Sequence, residues 1–237
     1  MSGPKTAMVL AAGLGTRLRP LTDARPKALV EVGGKPLIDH ALDRLAAVGV
    51  ERAIVNVHAF ADQLEAHLAA RARAPAIIVS DERDTVLETG GGLKKALPLL
   101  GSGPVWVSNI DTVALGGGAA PLEALARAWD PGAMDVLLLL APTRTSLGFH
   151  DSGDVFLEAD GRIRFKAPGE TAPFLYVGAH ITNPQIVDDG PDGPFSLLGV
   201  WKALAARGRV FGLSPEGLWM HVSDPAGKAL VEARLSA

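Results

Sequence analysis

The stretch Leu10-Ala11-Ala12-Gly13-Leu14-Gly15-Thr16-Arg17-Leu18-Arg19-Pro20-Leu21-Thr22, followed by Arg25-Pro26-Lys27, decides the fold. It stands directly behind residues 6–10, an apolar run that reads as a buried strand ended by glycine. Without a Cβ, Gly13 and Gly15 let backbone N–H groups come close to a ligand. Successive N–H groups in such a loop form a concave anion site. Arg17 and Lys27 bring a guanidinium and an ammonium to the same strand end, which suits a nucleoside triphosphate. The loop is not a dinucleotide fingerprint: its third small position is Leu18, and about 20 residues on stands Gly33-Gly34 rather than an acid. Nor is it a Walker loop, since no Gly-Lys-Ser/Thr tripeptide occurs.

Outward from this loop, strands and helices alternate. Residues 36–48 carry Leu37, Ile38, Ala41, Leu42 and Leu45 at helical spacing, with Pro36 at the first helical position and Gly49 as the stop. Strands are predicted at 52–57, 76–79, 104–107 and 134–140, and helices at 61–70, 89–99 and 122–129. Asn109-Ile110-Asp111 stands at the end of the fourth strand. This alternation predicts an α/β fold, a mainly parallel sheet with helices on both faces. Ligands in such sheets bind outside the carboxyl ends of the strands, so loops 13–17, 81–85 and 109–111 should share one crevice. Past Pro142 the rhythm shortens. Strands at 154–158, 162–166 and 174–181, with an Asp160-Gly161 turn, predict a hairpin-rich insertion beside the main sheet. A helix at 195–207, strands at 209–213 and 218–222 and a closing helix at 225–235 complete the reading. One domain covers 1–237, divided into a core (1–141), the hairpin-rich part (142–222) and the closing helix (223–237).

Composition narrows the function. A length of 237 residues can bury a full α/β core. The net charge of −3 gives no basic field for nucleic acid or anionic membrane. With no cysteine there are no disulfides, thiolate metal sites or cysteine nucleophiles. Residues 1–5 are polar, and the apolar run behind them is too short for a signal-peptide core. No apolar stretch approaches the ~20 residues of a spanning helix. A soluble, cytoplasmic protein is the expectation.

The motif Leu10-x-x-Gly13-x-Gly15-Thr16-Arg17-Leu18-x-Pro20-Leu21-Thr22-x-x-x-Pro26-Lys27, with Leu87-Glu88-Thr89-Gly90-Gly91-Gly92 and Asn109-x-Asp111, resembles the signature of the sugar-1-phosphate nucleotidyltransferases. Glu88-Thr89-Gly90-Gly91-Gly92 followed by Lys95-Ala96-Leu97-Pro98-Leu99-Leu100 is similar to one branch, the N-acetylmuramate-1-phosphate uridylyltransferases of bacterial cell-wall recycling. The resemblance runs in order over nearly the whole chain. It implies a Rossmann-like, GT-A-like fold whose hairpin-rich part binds the sugar. It also implies transfer of UMP from UTP to a sugar 1-phosphate, most readily N-acetylmuramate 1-phosphate, with Mg2+. Many members carry a left-handed β-helix beyond this point; none follows here, so a second acyltransferase activity is not expected.

The resemblance also distributes roles. Arg17, Lys27 and Asp111 are the catalytic set: Arg17 on the leaving β/γ-phosphates, Lys27 on the α-phosphate, Asp111 on the metal. Nucleotide contacts fall to Leu10, Ala11, Ala12, Gly13, Gly15, Thr16, Glu88, Thr89, Gly90 and Gly91, with free N–H groups of the glycines opening the third helix as donors. Asn109, Gly153, Asp154, Lys166 and Gly178 match sugar-phosphate positions. The family pattern Trp-x-Asp-x-Gly-Thr reads here Trp219-Met220-His221-Val222-Ser223-Asp224, which puts His221 at the second metal position. Three arrangements are open: Asp111 and phosphates hold Mg2+ alone, His221 touches a phosphate or metal-bound water, or Asp224 swings in. Trp219 is expected in the core, and His40, His58, His67, His150 and His180 are expected to be structural. The alternatives are guanylyl transfer to mannose or heptose 1-phosphate, cytidylyl transfer to phosphocholine, and a non-catalytic nucleotide-sugar sensor. His221 and Ile110, where a small residue is usual, keep the sensor open; Arg17, Lys27 and Asp111 argue against it.

Overall fold

The computed structural model describes residues 3–149 and 152–236. The chain opens with β1 (Thr6–Leu10), the glycine loop and the short hairpin β2 (Glu31–Val32) and β3 (Lys35–Pro36). α1 (Leu37–Ala47), β4 (Arg52–Val57), α2 (Ala61–Ala69), β5 (Ala76–Asp81), α3 (Glu88–Leu100) and β6 (Val105–Asn109) continue the alternation. β7 (Thr112–Ala114), α4 (Ala119–Ala128) and β8 (Val136–Pro142) follow. The remainder comprises β9 (Val155–Leu157), β10 (Ile163–Phe165), β11 (Phe174–Thr182), α5 (Leu197–Ala205), β12 (Val210–Leu213), β13 (Trp219–His221) and α6 (Pro225–Leu235).

Nine strands form one mixed sheet in the order β12-β8-β11-β6-β1-β4-β5, with the β9–β10 hairpin attached at the start of β11. β5, β4, β1 and β6 are parallel, while β11 runs antiparallel between β6 and β8. The part after Pro142 is therefore not beside the sheet. β11 lies inside it, and the boundary drawn at residue 141 crosses a continuous ladder. Strands 155–157 and 163–165 do form a hairpin, turned at Gly161.

Alternation along the strands splits the core into two layers, as period-2 geometry requires. Ala7 and Val9 of β1 and Val55 of β4 face α1, α2 and α4 through Ile38, Leu42, Leu64 and Leu122. Met8 and Ile54 face the other way, onto Leu93 and Ala96 of α3 and Leu197 and Trp201 of α5. Each such leucine or isoleucine contributes ~1.5–3 kcal/mol on full burial. A third, smaller cluster joins Leu18 of the glycine loop, Val32 and Leu37, Val113, Met220 and Val231. It packs the loop, the β2–β3 hairpin, the β7–β13 ladder and α6 into one support beneath the strand ends.

Gly33 and Gly34, at φ 58° and 70°, form the tight turn of the β2–β3 hairpin. Pro36 is extended (ψ 143°) and precedes α1 instead of opening it.

Candidate active site

The glycine loop, the loop after β6 and the start of α3 enclose one cavity of about 480 Å3 at the carboxyl ends of β1, β4, β5 and β6. Of the predicted nucleotide residues, Leu10, Ala12, Gly13, Gly15, Thr16, Arg17, Lys27, Glu88 and Thr89 line it, as do Asn109 and Asp111. Gly13 is open: a Cβ there would meet nothing within 4 Å, so it would project into space a ligand can use. Gly15 is needed for the backbone, at φ 64° with Lys27 Cβ and Thr22 Cγ2 within 3.1 Å of an added Cβ. The Thr22 hydroxyl donates to the Gly15 carbonyl (2.9 Å), and fully buried Leu18 anchors the turn carrying exposed Arg17.

Beneath the loop lies a support the sequence did not reveal. Asn56, on β4, accepts from the Ala11 and Ala12 N–H groups through Oδ1 (2.6 and 3.2 Å). Its Nδ2 donates to Glu82 Oε1 (2.9 Å). Asn56 and Glu82 are 2% and 1% exposed, and both line the cavity. Burial raises the Glu82 carboxyl above its ordinary range, against the bond from Asn56 that favours ionisation. Its Oε2 is sealed from solvent, and the Leu87 N–H adds a further contact that favours ionisation. Ala11 therefore acts from below the loop rather than from the cavity wall.

The cationic centre is Lys27 Nζ, 2.8 Å from Asp111 Oδ2, with His221 Nε2 3.3 Å from the same oxygen. The β7–β13 ladder pairs His221 with Thr112, and the Val222 N–H donates to the Asp111 carbonyl (2.8 Å), which brings residue 221 beside residue 111. Phe149 stacks on the His221 ring at 4.8 Å. Burial opposes ionisation of Asp111, but the hydrogen bond from His221 and the charge of Lys27 outweigh it and hold the carboxyl far below the usual range. Asp224 is committed elsewhere: it caps α6, accepting from the Gly227 N–H (2.7 Å) and the Ser223 hydroxyl (3.0 Å). Arg44 of α1, 3% exposed, braces the same loop by donating to the Thr112 carbonyl (3.0 Å) and the Ser108 hydroxyl (3.2 Å). Burial pulls its guanidinium down to about 10.

The start of α3 differs from expectation. The Gly90 and Gly91 N–H groups donate to the Phe195 carbonyl (2.8 and 3.2 Å), so they are not free for a base. These glycines are buried and serve close packing: a Cβ on Gly91 would lie 2.4 Å from the Gly193 carbonyl. Glu88 adopts φ 58°, rare for a residue with a side chain, and faces the cavity.

A second cavity of about 350 Å3 shares Leu10, Thr89, Asn109 and Ser196 with the first. Asp154 and Lys166 line it, together with residues of β11 and α5. Lys166 donates to the Ser152 hydroxyl (2.6 Å), and Asp154 accepts from the Tyr176 N–H (2.9 Å). Gly178, at the irregularity in β11, sits against Asn109, and Gly153 against the Ala172 carbonyl; neither lines the cavity. The histidines have local partners: His40 with the Val32 carbonyl, His58 with the Glu82 carbonyl, His67 with Asp39, and His180 with the Tyr176 hydroxyl. Burial pushes His180 down to about 3, so its ring is neutral at pH 7. His150 lies outside the described residues, and Trp219 is fully buried.

A family described as the MobA-like NTP transferase domain matches residues 7–149. The chain is 65% identical over 236 residues, 98% of each chain, to N-acetylmuramate alpha-1-phosphate uridylyltransferase of Caulobacter vibrioides. It is 33% identical to the enzyme of the same description from Neisseria meningitidis, covering 91% of this chain and 92% of that one. A crystal structure of UDP-glucose pyrophosphorylase complexed with UDP-glucose superposes with a TM-score of 0.80 at 14% identity, covering 98% of both chains.

Proposed function

We propose, from the premise that this chain belongs to the MobA-like NTP transferase domain family, that it transfers UMP from UTP to N-acetylmuramate 1-phosphate and releases pyrophosphate. The acceptor and base follow the two uridylyltransferase relatives, and the expected setting is bacterial cell-wall recycling. The observation that carries the chemistry is the meeting of Arg17, Lys27 and Asp111 around one crevice.

In this reading a phosphate oxygen of the acceptor attacks the α-phosphorus, and the bond to the leaving pyrophosphate breaks. A phosphate monoester has its second pKa at ~6 and is mostly dianionic at pH 7, so no base is needed. The task is to bring two polyanions together and to neutralise the leaving group. Arg17, exposed at the cavity wall, can fork onto two oxygens of the leaving group. Lys27 holds Asp111 in the free protein and offers its ammonium to the α-phosphate. The Ala12 and Gly13 backbone faces the base.

Asp111 fits Mg2+: it is a hard carboxylate donor, kept ionised, on the wall of the phosphate cavity. Among the described residues no group of three or more His, Cys, Asp or Glu could hold an ion alone, so substrate phosphates would complete the coordination. Bound there, Mg2+ supplies positive charge to the phosphates. His221 orients the Asp111 carboxylate. Arg17→Ala and Lys27→Ala should each lower kcat by roughly 100-fold, as loss of one preorganised electrostatic donor does. Near wild-type turnover in both variants would refute the assignment.

A further inference from the structure

We propose that Lys202 binds a second anionic group of the acceptor, a carboxylate remote from its phosphate, and so selects acidic sugar 1-phosphates. The inference rests on the preceding reading in placing the acceptor in the second cavity.

Only the first cavity is lined by Lys27 and Asp111, and Asn109 belongs to both. The reacting phosphate therefore belongs at the shared wall, with the rest of the acceptor extending toward α5. Along that helix Leu197, Leu198, Trp201 and Lys202 line the second cavity. Their spacing of one, four and five residues puts them on one face. Three are apolar, so Lys202 is the charged group on that wall.

Among the described residues, Lys202 is also the one lysine of eight whose ammonium has no protein partner. Lys5, Lys27, Lys35, Lys94 and Lys228 pair with carboxylates. Lys95 donates to the Asp81 carbonyl and Lys166 to Ser152. The positions three and four residues from Lys202 are Leu198, Gly199, Ala205 and Ala206, so its helix offers it no acid. An unpaired ammonium at the rim of an apolar wall suits a carboxylate carried on a short apolar arm. N-acetylmuramate differs from N-acetylglucosamine by such an arm, a lactyl ether whose methyl group can rest on exposed Leu198.

The test is steady-state kinetics with UTP and three acceptors: N-acetylmuramate 1-phosphate, glucuronate 1-phosphate and N-acetylglucosamine 1-phosphate. Wild type, Lys202→Gln and Lys202→Arg are compared. Because Lys202 is exposed, the expected effect is at the lower end for a hydrogen bond between charged groups. Lys202→Gln should raise KM for the acidic acceptor and lower the acidic-to-neutral selectivity ratio by about tenfold, with kcat little moved. Lys202→Arg should restore most of the ratio. An equal loss on acidic and neutral acceptors, no loss at all, or a wild type that prefers the neutral acceptor overturns the proposal. If wild type makes UDP-N-acetylmuramate and Lys202→Gln keeps its selectivity, the acceptor reading stands and Lys202 falls. If wild type favours glucuronate 1-phosphate and Lys202→Gln loses that preference, the N-acetylmuramate reading falls and Lys202 stands.

Discussion

Replacing Asn56 by aspartate exchanges one side-chain donor for an acceptor and leaves shape almost unchanged. Oδ1 can still receive the Ala11 and Ala12 N–H groups. The other atom, which donates to Glu82 Oε1 at 2.9 Å, becomes a carboxylate oxygen facing a carboxylate. At an effective dielectric constant of ~20, two unit charges ~3 Å apart repel by about 5 kcal/mol. The pair can escape by holding one proton, which restores an O–H···O bond. Starting from an ordinary carboxyl pKa of ~4, that proton costs about 5 kcal/mol at pH 8 and about 2 kcal/mol at pH 5.5. The sign follows from linkage. The shared proton raises a folded-state pKa, so stability is full below the unfolded value and is lost as pH rises toward the folded one. Asn56→Asp should therefore melt roughly 10–20 °C below wild type at pH 8 and roughly 4–8 °C below it at pH 5.5, at ~2–4 °C per kcal/mol for a chain this size. Adding Glu82→Gln returns a donor opposite the introduced carboxylate and should recover most of the loss, with a flat pH response. Thermal melts at the two pH values, with KM for the nucleotide measured alongside, test this. An Asn56→Asp loss equal at both pH values, or a double variant no better than the single, would refute the network.

Gly13→Ala should fold with wild-type stability and raise KM for the nucleotide, because its Cβ meets only cavity space; Gly15→Ala should lose more than about 1 kcal/mol in denaturant titration, from its positive φ and tight contacts. Arg44→Met leaves the Thr112 carbonyl and Ser108 hydroxyl without their donors. It should cost about 1–3 kcal/mol and lower kcat more than it raises KM, since the loop it braces carries Asp111; an unchanged kcat in folded protein contradicts that role. Asp111 has a depressed folded pKa, so the stability from its ionised form is present above the unfolded value of ~4 and is lost as pH falls toward the folded one. Asp111→Asn should be less stable than wild type at pH 7, with the gap closing below about pH 4 in denaturant melts; a gap that widens in acid contradicts the sign.

The parts legible in the sequence were those whose cause is local. An apolar run ended by Gly13 and Gly15 marks β1 and its loop, and period and punctuation mark α1, β4 and α6 within a residue or two. The meeting of loops 13–17 and 109–111 followed from parallel topology alone. What stayed hidden depends on partners distant in sequence. Asn56 was a single polar residue in the apolar run of β4, and Glu82 one of three acids in the run 81–84. Only parallel pairing, with Asn56 beside Ser80, joins them. That polar residue at a 2%-exposed position is the signal that could have found the network. The resemblance already set His221 at the second metal position beside Asp111; what it lacked was the cause, the pairing of the 218–222 strand with β7, a three-residue strand too short to show a period. Gly90 and Gly91 read as ligand donors because the packing of residues 193–195 on α3 leaves no local trace.

The central claim is tested most directly by pyrophosphate release from UTP, dTTP, GTP, CTP and ATP with Mg2+. Each is paired with N-acetylmuramate, N-acetylglucosamine, glucose and mannose 1-phosphate. The account predicts turnover concentrated in the pair UTP and N-acetylmuramate 1-phosphate. Nucleotide binding without pyrophosphate release from any pair would contradict it and leave a nucleotide-binding protein that catalyses no transfer.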